Sequence, residues 1–285
     1  MKPAPFTHHQ PGTVDEAAAL LAAHAAEDAR ILAGGQSLVP TMAFRLARPA
    51  HLIDINGISG LEGIALNADS MSIGALARHC DFHRPVEDGP LGALLAAIVR
   101  HIGHYPIRMR GTFCGSLAHA DPASEWCLVA ATLDARLTAR SVRGEREIAA
   151  SAFFEWAMTT ALAEDELLVR AALPRLAPDT RWGFCEFARR AGDFALAMAL
   201  ALYRVEDGAI VEPRVGLGGV EAFPRRIPEA EAVLAGKAPG PDLFREAGAA
   251  VSEAVDAMAD SHASAGYRSE IAAVMVERAL ADAAR

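Results

Sequence analysis

The chain is poor in cysteine, and none of it is clustered. Cys80, Cys114, Cys127 and Cys185 are its four thiols, and no two form a C-x-x-C pair. Zinc ribbons and iron–sulfur loops need closely spaced thiolates, so neither is built here, and the thiols are expected to be reduced and mostly buried. Excess positive charge is also missing. The net charge is −9, and the basic stretches RMRG, ARRAG and FPRR are short and scattered. A nucleic-acid or anionic-membrane surface needs Lys and Arg to meet phosphates, so neither partner is expected. No run is long and apolar enough to span a bilayer; DFALAMALALYRV is too short. Asp15, Glu16, His24, Glu27 and Asp28 interrupt or flank the N-terminal apolar stretch, which excludes a signal-peptide core. The expectation is a cytoplasmic protein with no membrane insertion.

What remains is ordinary globular material, 52% hydrophobic and 22% charged, with no internal repeat and length enough for several subdomains. Thr13 and Glu16 make a capping box before an Ala/Leu-rich helix. ARILAGG reads as a strand ending in two glycines, QSLVPTMAFRLA as a helix starting near Ser37, and HLIDI as a strand. This is a small α/β unit, residues 1–57. A second unit, 58–174, has a strand at MSIGALA and a helix at GPLGALLAAIVRHIG that buries Leu91, Leu94, Leu95 and Ile98. It continues with WCLVAATLDARLTAR as helix into strand, a hairpin with Gly144 at its turn, and a last strand at ELLVRAALP. PRLAPDTRWG marks a boundary. Residues 175–285 then read as an antiparallel hairpin (FALAMALALYRV, IVEPRVGLGGV) followed by two helices, a small α+β domain.

Two glycine loops carry the chemistry. AGGQS, Ala33–Ser37, ends a strand and opens a helix, where free N–H groups and the helix start make an anion site. It is neither G-x-G-x-x-G nor a P-loop, and VGLGGV lacks a following helix and is read as strand. GTFCGS, Gly111–Ser116, is a second glycine-and-hydroxyl loop, with Asp121 and Glu125 beyond it. One such loop from each of two subdomains suits a dinucleotide: neutral donors for the pyrophosphate, carboxylates for polyol hydroxyls. Competing readings are weaker. His119 with Asp121 and Glu125, His101 with His104, and His79, Cys80, Asp81 and His83 lack a zinc site's tight His/Cys set, so no metal is expected on the chain. Ser116, His119 and Asp121 lack the G-x-S-x-G elbow of a hydrolase.

AGGQSLVP, HIGHYPIRMRGTFCGSLAHADPASEW, FARRAGDFALA and DSHASAGYRSEIAAVMVERAL together resemble the medium, flavin-carrying subunit of the molybdenum hydroxylases, of the carbon monoxide dehydrogenase type and more distantly the xanthine dehydrogenase flavin domain. The resemblance runs almost end to end. It implies an α+β fold: a vanillyl-alcohol-oxidase-type FAD-binding domain of two α/β subdomains plus a C-terminal α+β domain. It implies that FAD meets Ala33, Gly34, Gly35, Gln36, Ser37 and Leu38 in one loop and Thr112, Phe113, Cys114, Gly115 and Ser116 in the other; no His or Cys stands in an evident attachment context near the ring-facing loop, so the FAD is expected to be non-covalent. Asp121 and Glu125 fall where the family places flavin-contacting side chains, and Arg189, Arg190, Asp193 and Phe194 fall in the loop beside the isoalloxazine ring. One departure stands out. The family has two glycines where this chain has Cys114 and Gly115. A Cβ is harmless there at negative φ and loosens FAD binding at positive φ.

By the same resemblance, the chain is an oxidoreductase subunit that takes electrons from [2Fe-2S] clusters and passes them to an external acceptor. The clusters and the molybdenum cofactor sit on partners, a small [2Fe-2S] subunit and a large molybdenum subunit, in a dimer of heterotrimers. No side chain here is expected to be an essential acid or base. The alternatives are a stand-alone flavin oxidoreductase, which needs its own substrate pocket and base, and an assembly module that has lost FAD.

Overall fold

The computed structural model describes residues 2–285. Its first layer is β1 (Thr7–His9), α1 (Val14–His24), β2 (Ala29–Leu32), α2 (Leu38–Ala43) and β3 (His51–Asp54), with the strands in the parallel order β1-β3-β2. Thr13 caps α1: its hydroxyl accepts the Glu16 N–H at 3.1 Å, and the Glu16 carboxylate reaches back to the Gly12 N–H at 2.7 Å. Ala17, Ala18 and Leu21 bury the face of α1 that meets the sheet. β1 was not expected; three residues with two histidines show no readable alternation. α2 is shorter than expected. It stops at Ala43 because Arg45 takes φ +59, a left-handed conformation that a helix does not tolerate.

The second layer contains β4 (Ile64–Leu66), β5 (Ser70–Gly74), α3 (Pro90–Ile98), α4 (Tyr105–Arg108), α5 (Phe113–His119), α6 (Glu125–Thr132), β6 (Arg136–Ser141), β7 (Gly144–Ala149), a small hairpin β8 (Phe154–Trp156) and β9 (Thr159–Thr160), and β10 (Leu167–Pro174). Its antiparallel sheet runs β4-β5-β10-β6-β7. α3 buries Leu91, Leu94, Leu95 and Ile98 as expected. α6 is buried along its whole length from Trp126 to Thr132, the pattern of a core helix covered on all sides.

The third layer is an antiparallel sheet, β11 (Arg181–Phe187), β12 (Ala197–Glu206), β13 (Ala209–Gly218) and β14 (Arg225–Arg226), with α7 (Pro228–Leu234), α8 (Pro241–Ala254) and α9 (Ala265–Ala283). β11 and α7 are additions to the hairpin and two helices expected there. β12 explains the long apolar run. Met198, Leu200 and Leu202 enter the core shared with the second layer, while Ala197, Ala199, Ala201 and Tyr203 face the core under α8 and α9. A strand alternates faces, so burial on both sides leaves no polar position. Gly183 lets α9 approach closely: a Cβ there would lie 2.0 Å from the Ala279 carbonyl oxygen.

Candidate functional site

The two glycine segments touch. A Cβ on Gly34 would lie 2.4 Å from the Arg110 carbonyl oxygen and 2.7 Å from the Gly111 Cα, so only glycine lets the loop after β2 lie on the segment before α5. Gly35 takes φ +70, which turns the chain into α2. Among the described residues, the N–H groups of Gly34, Gly35, Gln36, Ser37 and Leu38 find no protein acceptor, while Val39 N–H already closes on Gly35 O at 3.0 Å. Five successive free donors can hold an anion. The cavity beside them, about 370 Å³, is lined by Leu32, Gly34, Gln36, Asp54, Asn56 and Arg110 among others. A larger groove of about 610 Å³ lies elsewhere, between Asp15, Glu62, Arg140 and Arg170, and contains neither glycine segment.

A polar brace holds the two segments together. Asn56 Nδ2 donates to Ala33 O at 2.8 Å and to Asp54 Oδ1 at 2.6 Å, and its Oδ1 accepts from Arg78 Nη2 at 2.6 Å. The other arm of Arg78 donates to Arg110 O. Burial works against the Asp54 carboxylate, but hydrogen bonds from Asn56 and His8 outweigh it and hold its pKa below the ordinary value. Beneath the brace, Trp126 Nε1 donates to His79 Nδ1 at 2.9 Å. Burial, with Arg108 and Arg78 nearby, pushes His79 down to about 4, so it is neutral with its proton on Nε2. A Cβ on Gly111 would meet that Nε2 at 2.5 Å.

Thr112–Ser116 was expected as a loop. Instead Thr112 is an N-cap, and Phe113 to Ser116 form the first turn of α5. The Thr112 hydroxyl accepts the Gly115 N–H at 3.0 Å, Phe113 N–H goes to Ala77 O at 3.0 Å and Ser116 N–H goes to Thr112 O at 3.1 Å. Most of its donors are therefore spent internally, unlike those of Gly34–Leu38. Cys114 is buried inside the helix and is not among the positive-φ residues, so its Cβ costs nothing. Burial pushes its thiol up to about 12.

Asp121 and Glu125 follow α5. Asp121 Oδ1 accepts the Ala123 N–H at 2.8 Å, and Gly219 N–H from the third layer fixes Pro122 O at 2.8 Å. Ser116, His119 and Asp121 share no hydrogen bond with one another among the described residues, so no hydrolase relay forms. The His79–His83 cluster separates too: His83 accepts from Arg108 Nε at 3.0 Å while His79 serves Trp126. Glu125 opens α6 and is raised to about 8 by burial first, then by Glu186 and Asp121. Glu186, on β11, is raised to about 7 by burial; its side chain is 8% exposed and Oε2 lies 3.6 Å from His101 Nδ1 without a hydrogen bond. Two carboxyls thus share the seam between the layers and resist double ionisation.

Arg189, Arg190, Asp193 and Phe194 lie in the exposed turn between β11 and β12. Gly192, at φ +86, rests on His104 of the second layer; a Cβ there would lie 2.5 Å from the ring. Phe194 is 73% exposed and has no aromatic partner among the described residues. The arrangement joins a donor row, a braced cavity, acidic groups at a seam and an exposed aromatic turn. Asn56, Asp54, Arg78 and Glu186 were missed in the sequence. Asp54 and Asn56 had a signal: Asp54 ends β3 and Asn56 lies in the turn just after it, beside the end of the parallel strand β2, the edge of a parallel sheet where ligands are held.

Residues 4–176 match the family described as FAD binding domain in molybdopterin dehydrogenase, and residues 182–283 match the CO dehydrogenase flavoprotein C-terminal domain. The chain is 35% identical to the nicotine 6-hydroxylase medium subunit of Paenarthrobacter nicotinovorans, over 99% of each chain. It is 33% identical to the carbon monoxide dehydrogenase medium chain of Hydrogenophaga pseudoflava, over 98% of this chain and 97% of that one. The solved carbon monoxide dehydrogenase from Hydrogenophaga pseudoflava superposes with TM-score 0.95 at 34% identity, covering 99% of this chain and 98% of that chain. Quinoline 2-oxidoreductase from Pseudomonas putida 86 superposes with TM-score 0.91 at 35% identity, covering 100% and 98%. Among the described residues, no helix is long and apolar enough to cross a membrane.

Proposed function

Because the chain belongs to the FAD-binding domain family of molybdopterin dehydrogenases, with the CO dehydrogenase flavoprotein C-terminal domain behind it, we propose that it is the electron-transferring flavin subunit of a multi-subunit molybdenum hydroxylase. FAD, when bound, supplies the redox chemistry between the iron–sulfur clusters of a small partner subunit and an external acceptor, with the molybdenum cofactor on a large partner subunit. The observation that carries this reading is the row of five free N–H donors from Gly34 to Leu38 above a braced cavity.

Those donors hold the pyrophosphate, and Ala33 and Gly35 shape the loop around it. Asn56 and Arg78 keep the row aligned with Arg110 and Gly111, so the donors need no reorganisation on binding. Thr112, Phe113, Cys114 and Gly115 supply the α5 start that closes the other side. Ser116, Asp121 and Glu125 accept from ribityl or ribose hydroxyls. Arg189, Arg190, Asp193 and Phe194 govern approach of the acceptor rather than FAD affinity. No side chain acts as an essential acid or base. The FAD is non-covalent, the working complex is a dimer of heterotrimers, and the four free cysteines suit a reducing cytoplasm.

Co-expression with the partner open reading frames, followed by size exclusion, tests the proposal. The expected product is one complex holding flavin, iron–sulfur and molybdenum, from which acid precipitation releases all the flavin. A colourless chain that elutes alone under all conditions, or an isolated chain that turns over substrate, overturns it.

A further inference from the structure

Three histidines far apart in sequence meet beside the first sheet. His9 ends β1, His24 ends α1 and His51 opens β3, and each offers one ligand atom, all within 4.8 Å of one another. No other group of three metal-ligating side chains meets that closely among the described residues. The sequence-based expectation of no metal weighed only groups with short spacings, and these three span 42 positions.

The hydrogen bonds set the tautomers. Glu27, in the turn after α1, lies 3.1 Å from His24 Nδ1 and 3.4 Å from His51 Nε2. A carboxylate only accepts, so both nitrogens carry protons and donate to it. That leaves a lone pair on His24 Nε2 and on His51 Nδ1. His51 Nδ1 lies 2.9 Å from His9 Nε2, so His9 donates the proton between them. The rings of His24 and His51 stack with centroids 3.8 Å apart, which keeps both aimed at Glu27.

We propose that His9, His24 and His51 bind one divalent ion of the zinc class. The ion takes the place of the proton between His9 and His51, bonding His9 Nε2, His51 Nδ1 and His24 Nε2, while His9 exchanges through solvent to its Nδ1–H tautomer, so each ligand stays a neutral imidazole. Glu27 stays behind two of the ligands as the carboxylate of a carboxylate–histidine–metal arrangement, fixing their tautomers. Imidazole donors favour zinc, copper or nickel over magnesium or calcium. Three nitrogens leave a fourth position for water. Zinc–nitrogen bonds of about 2.0–2.1 Å set ligand nitrogens about 3.4 Å apart, so the widest pair closes by up to about 1.4 Å, the His9–His51 pair opens by about 0.5 Å, and the stacked rings tilt by side-chain rotation to converge their lone pairs. The His24 and His51 side chains are 26% and 13% exposed, so an ion has a way in. His24 also sits at the carbonyl end of α1, which favours a cation. The ion ties β1, α1 and β3 together. It is independent of the flavin reading: His51 starts β3, whereas Asp54, which lines the loop cavity, ends it.

The test uses the untagged full-length chain, stripped with chelator and dialysed. Zn²⁺ is titrated by calorimetry, and Co²⁺ is followed by its visible ligand-field bands. One equivalent is expected for each, with Zn²⁺ displacing Co²⁺ and Mg²⁺ leaving both titrations unchanged. His9→Gln and His24→Gln should each weaken Zn²⁺ binding at least tenfold, and Glu27→Gln by about 10-fold or more. Metal-free melting of each variant verifies folding, and flavin content should not change. Absence of a saturable one-equivalent site in the wild-type chain, wild-type affinity in both folded histidine variants, or equal binding of Mg²⁺ would overturn the proposal.

Discussion

Alanine at Gly34 probes the contact between the two glycine segments on which the proposed flavin site rests. Its Cβ would lie 2.4 Å from Arg110 O, and real Cβ contacts do not close below 3.0 Å, so the two segments must part by at least the missing ~0.6 Å. Neither obstacle is the end of a flexible side chain. Arg110 O is also held by Arg78, which is tied through Asn56 to Ala33. Overpacking of this kind costs about 1–3 kcal/mol. If the donor row must be in place to bind, that strain appears as a loss of roughly 5- to 150-fold in FAD affinity. Gly35→Ala is the control. Its Cβ meets only Leu32 Cδ1 and Val39 Cγ2, both at 3.1 Å, and the φ of +70 adds about 1–2 kcal/mol. Flavin fluorescence titration and apo-protein melting should therefore show Gly34→Ala impaired in both. Combining it with Arg78→Met should give less than the sum of the two effects, because both release the same carbonyl. Wild-type FAD affinity and melting in Gly34→Ala would refute the claim that the segments are locked together.

Gly35→Val should abolish FAD binding and leave the fold, since a β-branched residue at φ +70 distorts the donor row; equilibrium titration decides it, and unchanged affinity removes the loop from the site. Arg190→Ala and Asp193→Asn should keep FAD bound but change the rate at which an acceptor reoxidises it, because these exposed side chains alter local potential without lining the cavity; stopped-flow rates equal to wild type for both would make the turn structural only. Stability should fall as pH rises. Glu125 and Glu186, raised to about 8 and about 7, keep protons in the folded chain that the unfolded chain releases above the ordinary 4.5, so the contribution is full below that value and is lost as pH climbs through 7 to 8. Glu186→Gln should flatten the decline in melting temperature between roughly pH 5 and pH 8, and a variant slope as steep as wild type would exclude this pair as its source.

The sequence alone determined the α+β class, the helices with clear caps or apolar faces, and the places where glycine follows a strand or precedes a helix. These are local properties. Thr13 and Glu16 announce α1, and Leu91, Leu94, Leu95 and Ile98 announce the buried face of α3. β1 and β14 were not legible, because segments of two or three residues owe their form to a partner strand. Thr112–Ser116 looked like a loop since its glycine and serine carry weak helix propensity, yet Thr112 capping and the bond from Phe113 to Ala77 fold it as a helix start. Only the tertiary structure decided that Gly34 rests on Arg110, that Arg78 and Asn56 brace the two segments, that Glu186 is buried near enough to raise the Glu125 carboxyl, and that His9, His24 and His51 converge. Each of these joins residues distant in sequence through chain crossings and burial, and no local pattern encodes which crossings occur. Glycine spacing shows where a close approach is permitted; the packing of one layer against the next determines what approaches.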